Sequence, residues 1–440
     1  MSSTLSGRRQ LVLPPAPKTL AETGLAFDTV MPLILKTLHL AGEHTGAQMA
    51  DRLGLRFSVI EPILQHLRSS YLIDVSGGGL IGGPSFIFRV TDAGRTRAML
   101  FLDQSRYVGV APVPFAQYER YMREFDRTVS RTVTRAQVQM AFSHLVLSDR
   151  VLDQLGPAVN GGHSLFVYGP PGNGKTVIAQ GVKNLLEGDI AIPHAIDYDG
   201  HLMHVYDAVI HEAYPGLAHS NDLDSGEVPD ARWLHCRRPL VTVGGELVMS
   251  SLELAHDSTN GFYRSPIQLA ANGGVLVIDD FGRQRVSVVD LLNRWITPLE
   301  SRTDYLTLTS GQKLPMPFVV LIVLATNIKP ADLVDEAFLR RIHYKVFAEN
   351  PTVVDFKQIF MRVCRTREIA YDDDLVDRLI TQQLRRRGIV PRGCHPRDLV
   401  DHALSLADYL GAPRVLTDDL MKHACDSYFL DEQMASPTQT

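Results

Sequence analysis

A short apolar run, Leu165-Phe166-Val167-Tyr168, leads directly into Gly169-Pro170-Pro171-Gly172-Asn173-Gly174-Lys175-Thr176. No other feature of the sequence constrains the fold so tightly. The spacing Gly-x-x-x-x-Gly-Lys-Thr is that of a loop that wraps a phosphate. Glycines at 169, 172 and 174 let the backbone curl and approach an anion with no side chain in the way. Backbone N–H groups of the loop, and of the helix that opens around Val177, then face the anion. Lys175 can reach the terminal phosphates, and the Thr176 hydroxyl suits Mg²⁺. A buried strand before the loop and a helix after it predict an α/β core. The bland alternative is a glycine-rich turn that binds nothing. With 33 glycines and few lysines in 440 residues, a chance match to the whole pattern is rare.

Two further apolar runs end in polar residues. Gly274-Val275-Leu276-Val277-Ile278 runs into Asp279-Asp280, which a magnesium–nucleotide site needs: Asp279 to hold the metal and Asp280 to orient a water. Val319 to Ala325 runs into Thr326-Asn327, where Asn327 could bond a phosphate or that water. Read alone, each is a strand with a polar cap. Beyond them, Asp335-Glu336-Ala337-Phe338-Leu339-Arg340-Arg341 offers two arginines, whose forked donors suit phosphate or, on the bland reading, a solvated helix end. Gly393-Cys394-His395-Pro396-Arg397-Asp398 opens a helix with Arg397 in its first turn, where the helix dipole disfavours a cation. A phosphate partner would offset that cost.

These motifs, in this order, resemble the AAA+ ATPase family over residues 145–430. The resemblance implies Walker A at 169–176 and Walker B at Asp279 and Asp280. It makes Asn327 sensor 1, Arg341 the arginine finger with Arg340 second, and Arg397 sensor 2. It implies ATP and Mg²⁺ as cofactors and a homo-oligomeric ring, for which a hexamer is one candidate. Asp280 departs from the glutamate usual there, and its shorter arm reaches less far toward the water. The 104 residues from Lys175 to Asp279 exceed a compact core, so an insertion is expected within 241–263. A hairpin is expected over Tyr305–Leu314. The layout is similar to MoxR-type and enhancer-binding ATPases.

The implied fold class is α/β: a P-loop NTPase three-layer core with a parallel sheet, a C-terminal helical lid and an N-terminal winged-helix-like domain. Residues 1–20, with Pro14-Pro15-Ala16-Pro17, read as a disordered tail. Residues 21–105 read as the winged-helix-like domain. Its first helix runs from Phe27 to Gly42, its second starts at Thr45 with Gln48 as a capping pair, and its third starts near Ser58 with Glu61 in the same role. A glycine-rich turn then joins Leu72–Val75 to Phe86–Val90, and Val90–Arg95 resembles the closing segment of winged-helix regulators. Residues 106–145 read as a linker, 146–349 as the nucleotide-binding domain, 350–430 as the lid and 431–440 as a tail.

Net charge is −5, and residues 1–105 hold ten Lys/Arg against eight Asp/Glu, too even for strong phosphate-backbone binding. DNA and protein therefore both stand as partners of that domain. Two functions follow: an oligomeric ATPase that remodels a protein or nucleoprotein, or a DNA-binding regulator that uses ATP as a slow switch. Four scattered cysteines suggest free thiols and a cytoplasmic setting. The longest apolar run is too short to cross a bilayer. His201-x-x-His204 has no third metal ligand at convincing spacing.

Overall fold

The computed structural model describes residues 13–78, 83–129, 132–162, 164–215, 228–333, 340 and 342–429. Contacts group the chain into two units. The first comprises residues 1–131, 186–276 and 284–321, and the second residues 132–185, 277–283 and 322–440.

The sheet that carries the phosphate loop has five strands: β1 Leu165–Tyr168, β2 Leu240–Val243, β3 Val275–Ile278, β4 Leu321–Thr326 and β5 Tyr344–Phe347. Their spatial order is β2-β3-β4-β1-β5. β1 pairs in parallel with both β4 and β5. All of β3 and β4, and Leu165, Phe166 and Val167 of β1, are buried. That burial is why these strands read as unbroken apolar runs rather than alternating ones. Helix Asp149–Gly161 packs on β5, and helix Lys175–Gly181 on β1. After β5 the chain becomes helical. Helices Val353–Thr366, Asp373–Arg378, His395–Leu410 and Asp418–Tyr428 share one core that includes Phe356, Phe360, Leu399 and Val400. A π-helical turn, Leu379–Leu384, interrupts the series.

In the first unit, helices Phe27–Ala41, Gly46–Leu53 and Phe57–Ser69 pack around a three-stranded antiparallel sheet. Strand Phe86–Val90 lies between His44–Thr45 and Ile73–Gly78. Thr45 and Gln48 form the expected capping box. The expected cap at Ser58 does not form. The helix starts one residue earlier with Arg56 at its cap position, and the Ser58 hydroxyl donates to the Lys18 carbonyl at 2.8 Å. Thr91 caps a helix, Asp92–Gln104, where a closing segment was expected.

Residues 13–20 are not a free tail. The Asp230 N–H donates to the Pro14 carbonyl and the Ala16 N–H to the Val228 carbonyl, each at 2.8 Å. Nor is 106–145 a plain connection. Val113–Pro114 pairs with Ala195–Tyr198, and helix Phe115–Thr128 buries Tyr118, Met122 and Phe125. The insertion is larger than expected. Val113–Pro114 and Ala195–Tyr198 share a five-stranded sheet with His201–His204, Phe262–Arg264 and Ala255–Asp257, and a separate ribbon pairs Asp189–Pro193 with Trp233–Arg237. The expected hairpin is present as Thr303–Thr307 against Lys313–Pro317.

Arg232 joins these parts of the first unit. Its guanidinium, 1% exposed, pairs with Asp230 at 2.7 Å. It also donates to the carbonyls of Thr23 and Pro112 and to Gln117 Oε1.

Candidate functional site

The site is built where β1, β3 and β4 end. Gly169, Gly172 and Gly174 all adopt positive φ, which the turn requires. A Cβ on Gly169 would lie 2.5 Å from the Ala348 carbonyl oxygen, so the loop has no room for a side chain there. Gly174 precedes the first residue of helix Lys175–Gly181, as an anion cradle needs. Pro170 and Pro171 complete the bend, and Val177 stands 43% exposed on the helix's first turn.

Lys175 is buried, and its Nζ donates to the Pro170 carbonyl at 2.8 Å. Burial pushes its ammonium below the ordinary lysine value, opposed by the charges of Asp280 and Asp279 and reinforced by Arg392. The Thr176 hydroxyl donates to Asp279 Oδ2 at 2.7 Å. A hydroxyl and a carboxylate at that separation are hard oxygen donors, and they fit Mg²⁺ rather than a softer metal.

Asp280 turns the chain through a left-handed φ of +47°, a region that aspartate tolerates better than most residues. The turn lets the Phe281 N–H bond the Ala325 carbonyl at 2.7 Å, while the Thr326 hydroxyl donates to the Phe281 carbonyl at 2.7 Å. Phe281 is fully buried, edge-on to Phe166. This packing sets the ends of β3 and β4 side by side, with the Asn327 amide 3.4 Å from Asp280 Oδ1.

The structure thus brings Lys175, Thr176, Asp279, Asp280 and Asn327 together. Arg397 sits in the first turn of helix His395–Leu410, as expected, but with a carboxylate at hand. It pairs with Asp398 Oδ1 at 2.8 Å, and that acid offsets the unfavourable dipole position. Arg340 is exposed, and Arg341 lies outside the described residues. No group of three or more His, Cys, Asp or Glu side chains placed to hold a metal ion occurs among the described residues. No helix among them is long and apolar enough to cross a membrane.

Sequence reasoning missed Arg392, whose charge acts on Lys175, and the segment 348–350 against the loop. Arg392 lies five residues before Arg397 in the same lead-in to the helix. That proximity was the available signal, but only the folded lead-in places it by the loop.

Residues 148–192 match the profile of the family described as magnesium chelatase, subunit ChlI. Residues 352–427 match a domain of unknown function, DUF8689. No curated protein matches the chain. Among solved structures, the chain is similar to a RuvB Holliday junction branch migration motor from Thermotoga maritima. Identity is 16%, 70% of this chain and 74% of that chain are covered, and the TM-score is 0.37. It is also similar to NtrX from Brucella abortus in complex with ADP, at 15% identity, 69% and 62% coverage and a TM-score of 0.38.

Proposed function

We propose that this chain, whose core is that of the AAA+ P-loop ATPases, binds Mg-ATP at residues 169–177 and hydrolyses it to drive work on a partner. The observation that carries the reading is the convergence of Thr176 on Asp279 and of Asp280 on Asn327 at the ends of neighbouring strands. Lys175 exchanges the Pro170 carbonyl for a phosphate oxygen. Thr176 and Asp279 hold Mg²⁺, which when bound supplies charge that neutralises the phosphates. Asp280 accepts a proton from the attacking water, and Asn327 fixes the carboxylate's direction. Arg397 contacts the nucleotide after leaving Asp398, and Arg341, with Arg340 second, serves a neighbouring subunit's site in a ring. A cytoplasmic setting goes with this reading.

Asp280 is one methylene shorter than glutamate and held in a left-handed turn. That favours slow hydrolysis, so a regulator that uses ATP as a switch is the second reading. Residues 21–105 fit a winged-helix-like domain that addresses the partner. The exposed residues of helix Phe57–Ser69 are Ser58, Pro62, Gln65, His66, Arg68 and Ser69, so Arg68 is its one full cation, and the His66 ring lies edge-on to Phe27. Such a weakly basic face supports a protein partner over DNA.

The test is phosphate release and nucleotide binding in three proteins. Asp280→Asn should bind ATP as wild type does and lose about 10²–10³ in turnover. Lys175→Ala should lose binding or turnover without loss of fold. Full activity in Lys175→Ala would end the assignment.

A further inference from the structure

We propose that Asn173 is a latch that holds the C-terminal helical segment against the phosphate loop and thereby sets how long a nucleotide stays bound. The retention half rests on the nucleotide reading above; the latch itself does not.

Asn173 is 9% exposed and bonds in two directions. Its Nδ2 donates to the Ala348 carbonyl at 3.3 Å and to Asn350 Oδ1 at 2.9 Å. Its Oδ1 accepts from the Gly393 N–H at 3.1 Å. Only an amide side chain offers both donors and an acceptor in this way; an aspartate would lose both donors. Residues 348–350 follow β5 and precede helix Val353–Thr366, so they are the pivot between sheet and helical segment. Gly393 lies two residues before helix His395–Leu410. One loop side chain therefore ties pivot and helical segment together.

The contact is tight on both sides. A Cβ on Gly172 would lie 2.5 Å from Cys394 Sγ, and one on Gly393 would lie 3.2 Å from the Gly172 carbonyl oxygen. The far side of the latch is braced. The Arg392 N–H donates to His395 Nδ1 at 3.2 Å, and the Tyr428 hydroxyl, 3.8 Å from Cys394 Sγ, donates to Asp398 Oδ2 at 2.8 Å. Asp398 in turn holds Arg397. The backbone of residues 172–174, whose N–H groups would face phosphate, is thus the same backbone that seats the helical segment. Occupancy of the loop and seating of the segment cannot change independently.

Cys394 supplies a readout that needs no nucleotide. It is half-buried beside Gly172, whereas Cys236, Cys364 and Cys425 are buried. Burial also pushes its thiol upward, so a disulfide reagent reacts slowly while the latch is closed. The experiment compares wild type, Asn173→Ala and Gly393→Ala. The last crowds the latch from the helical side without altering the loop sequence. Cys394 labelling by dithionitrobenzoate is followed in parallel with release of a fluorescent ADP analogue, and thermal melts confirm folding. Losing one or two net hydrogen bonds should raise both rates in both variants by about 5- to 30-fold. Unchanged labelling would overturn the latch. Faster labelling with unchanged release would overturn its control of retention. If wild type binds no nucleotide, the nucleotide reading and the retention half fall together, and labelling alone judges the latch.

Discussion

The phosphate loop and the Arg232–Asp230 pair both hold charge away from water, and they are built in opposite ways. The loop draws its groups from eight consecutive residues, Gly169 to Thr176, and from two strand ends that point at it. Arg232 is satisfied by parts far apart in sequence: Asp230 beside it, Thr23 near one end of the chain, and Pro112 with Gln117 in between. The loop's one cation, Lys175, donates to a carbonyl five residues away, that of Pro170. The charge of Arg232 is neutralised and fully bonded. Charge in the loop is held by near neighbours in sequence, whereas the charge of Arg232 is held by distant ones as well as by Asp230.

The largest test of this contrast is removal of residues 1–105. On sequence alone these residues read as separable. In the structure they share a core with the rest of the first unit: Leu53, Tyr107 and Ala195 lie in one cluster, with Leu202 and Phe262 packed on it. A Cβ on Gly261 would strike the Gln104 carbonyl at 2.2 Å. Deletion should therefore strip a core and leave Arg232 short of the Thr23 carbonyl. We expect an aggregated product on size-exclusion chromatography. A monodisperse, cooperatively melting fragment would show that the residues are separable after all.

A single substitution should give the next largest effect. Arg232→Ala leaves Asp230 as a buried carboxylate without its cation, which costs about 3–5 kcal/mol. Urea unfolding should register that loss, while Lys175→Ala, which removes a cation bonded to one carbonyl and itself costly to bury, should stay within about 1 kcal/mol of wild type. Replacing both partners, Arg232→Met with Asp230→Leu, should recover part of the deficit, because the isolated charge is then gone. Equal stability for Arg232→Ala and Lys175→Ala would erase the distinction between the two kinds of charge.

The same distinction explains what could be read from the sequence. β1, β3 and β4 were legible because burial on both faces leaves apolar runs, and their polar ends marked Asp279, Asp280 and Asn327. The Thr45 cap was legible because its partner, Gln48, is three residues away. Ser58 carried the same local signal and failed, because the helix begins one residue before it and puts Ser58 inside the first turn, where its hydroxyl donates to the distant Lys18 carbonyl. Asp230-Ala231-Arg232 looks like any polar turn, and nothing near it announces three partners from elsewhere. The insertion was underestimated for a similar reason. Val113–Pro114 is two residues long and becomes a strand only by pairing with Ala195–Tyr198. Arg392 could not be ranked above its neighbours until Gly393 was seen against Asn173.

Lys36 lies between the two kinds of charge and should give the smallest effect. It is 4% exposed inside the first unit's core, and its Nζ donates to the Ser105 carbonyl at 2.9 Å. A carbonyl satisfies a donor but does not neutralise a charge. Burial accordingly lowers the ammonium from the ordinary 10.5 to about 8. The sign follows from proton counting. Below pH 8 both folded and unfolded chains carry the proton, and the folded chain bears the cost of burying it. Between about pH 8 and 10.5 the folded chain sheds the proton while the unfolded chain keeps it, so this residue makes stability rise with pH. Other groups oppose the trend; burial raises the Cys236 thiol to about 12, which favours the folded form less as pH climbs. The comparison of wild type with Lys36→Met cancels those shared contributions. The methionine variant should be the more stable at pH 7.5, and its advantage should shrink by roughly 1–3 kcal/mol by pH 10.5. Urea midpoints across that range measure the difference. An advantage that stays constant with pH would mean that Lys36 keeps its proton, with water or a carboxylate reaching it in solution.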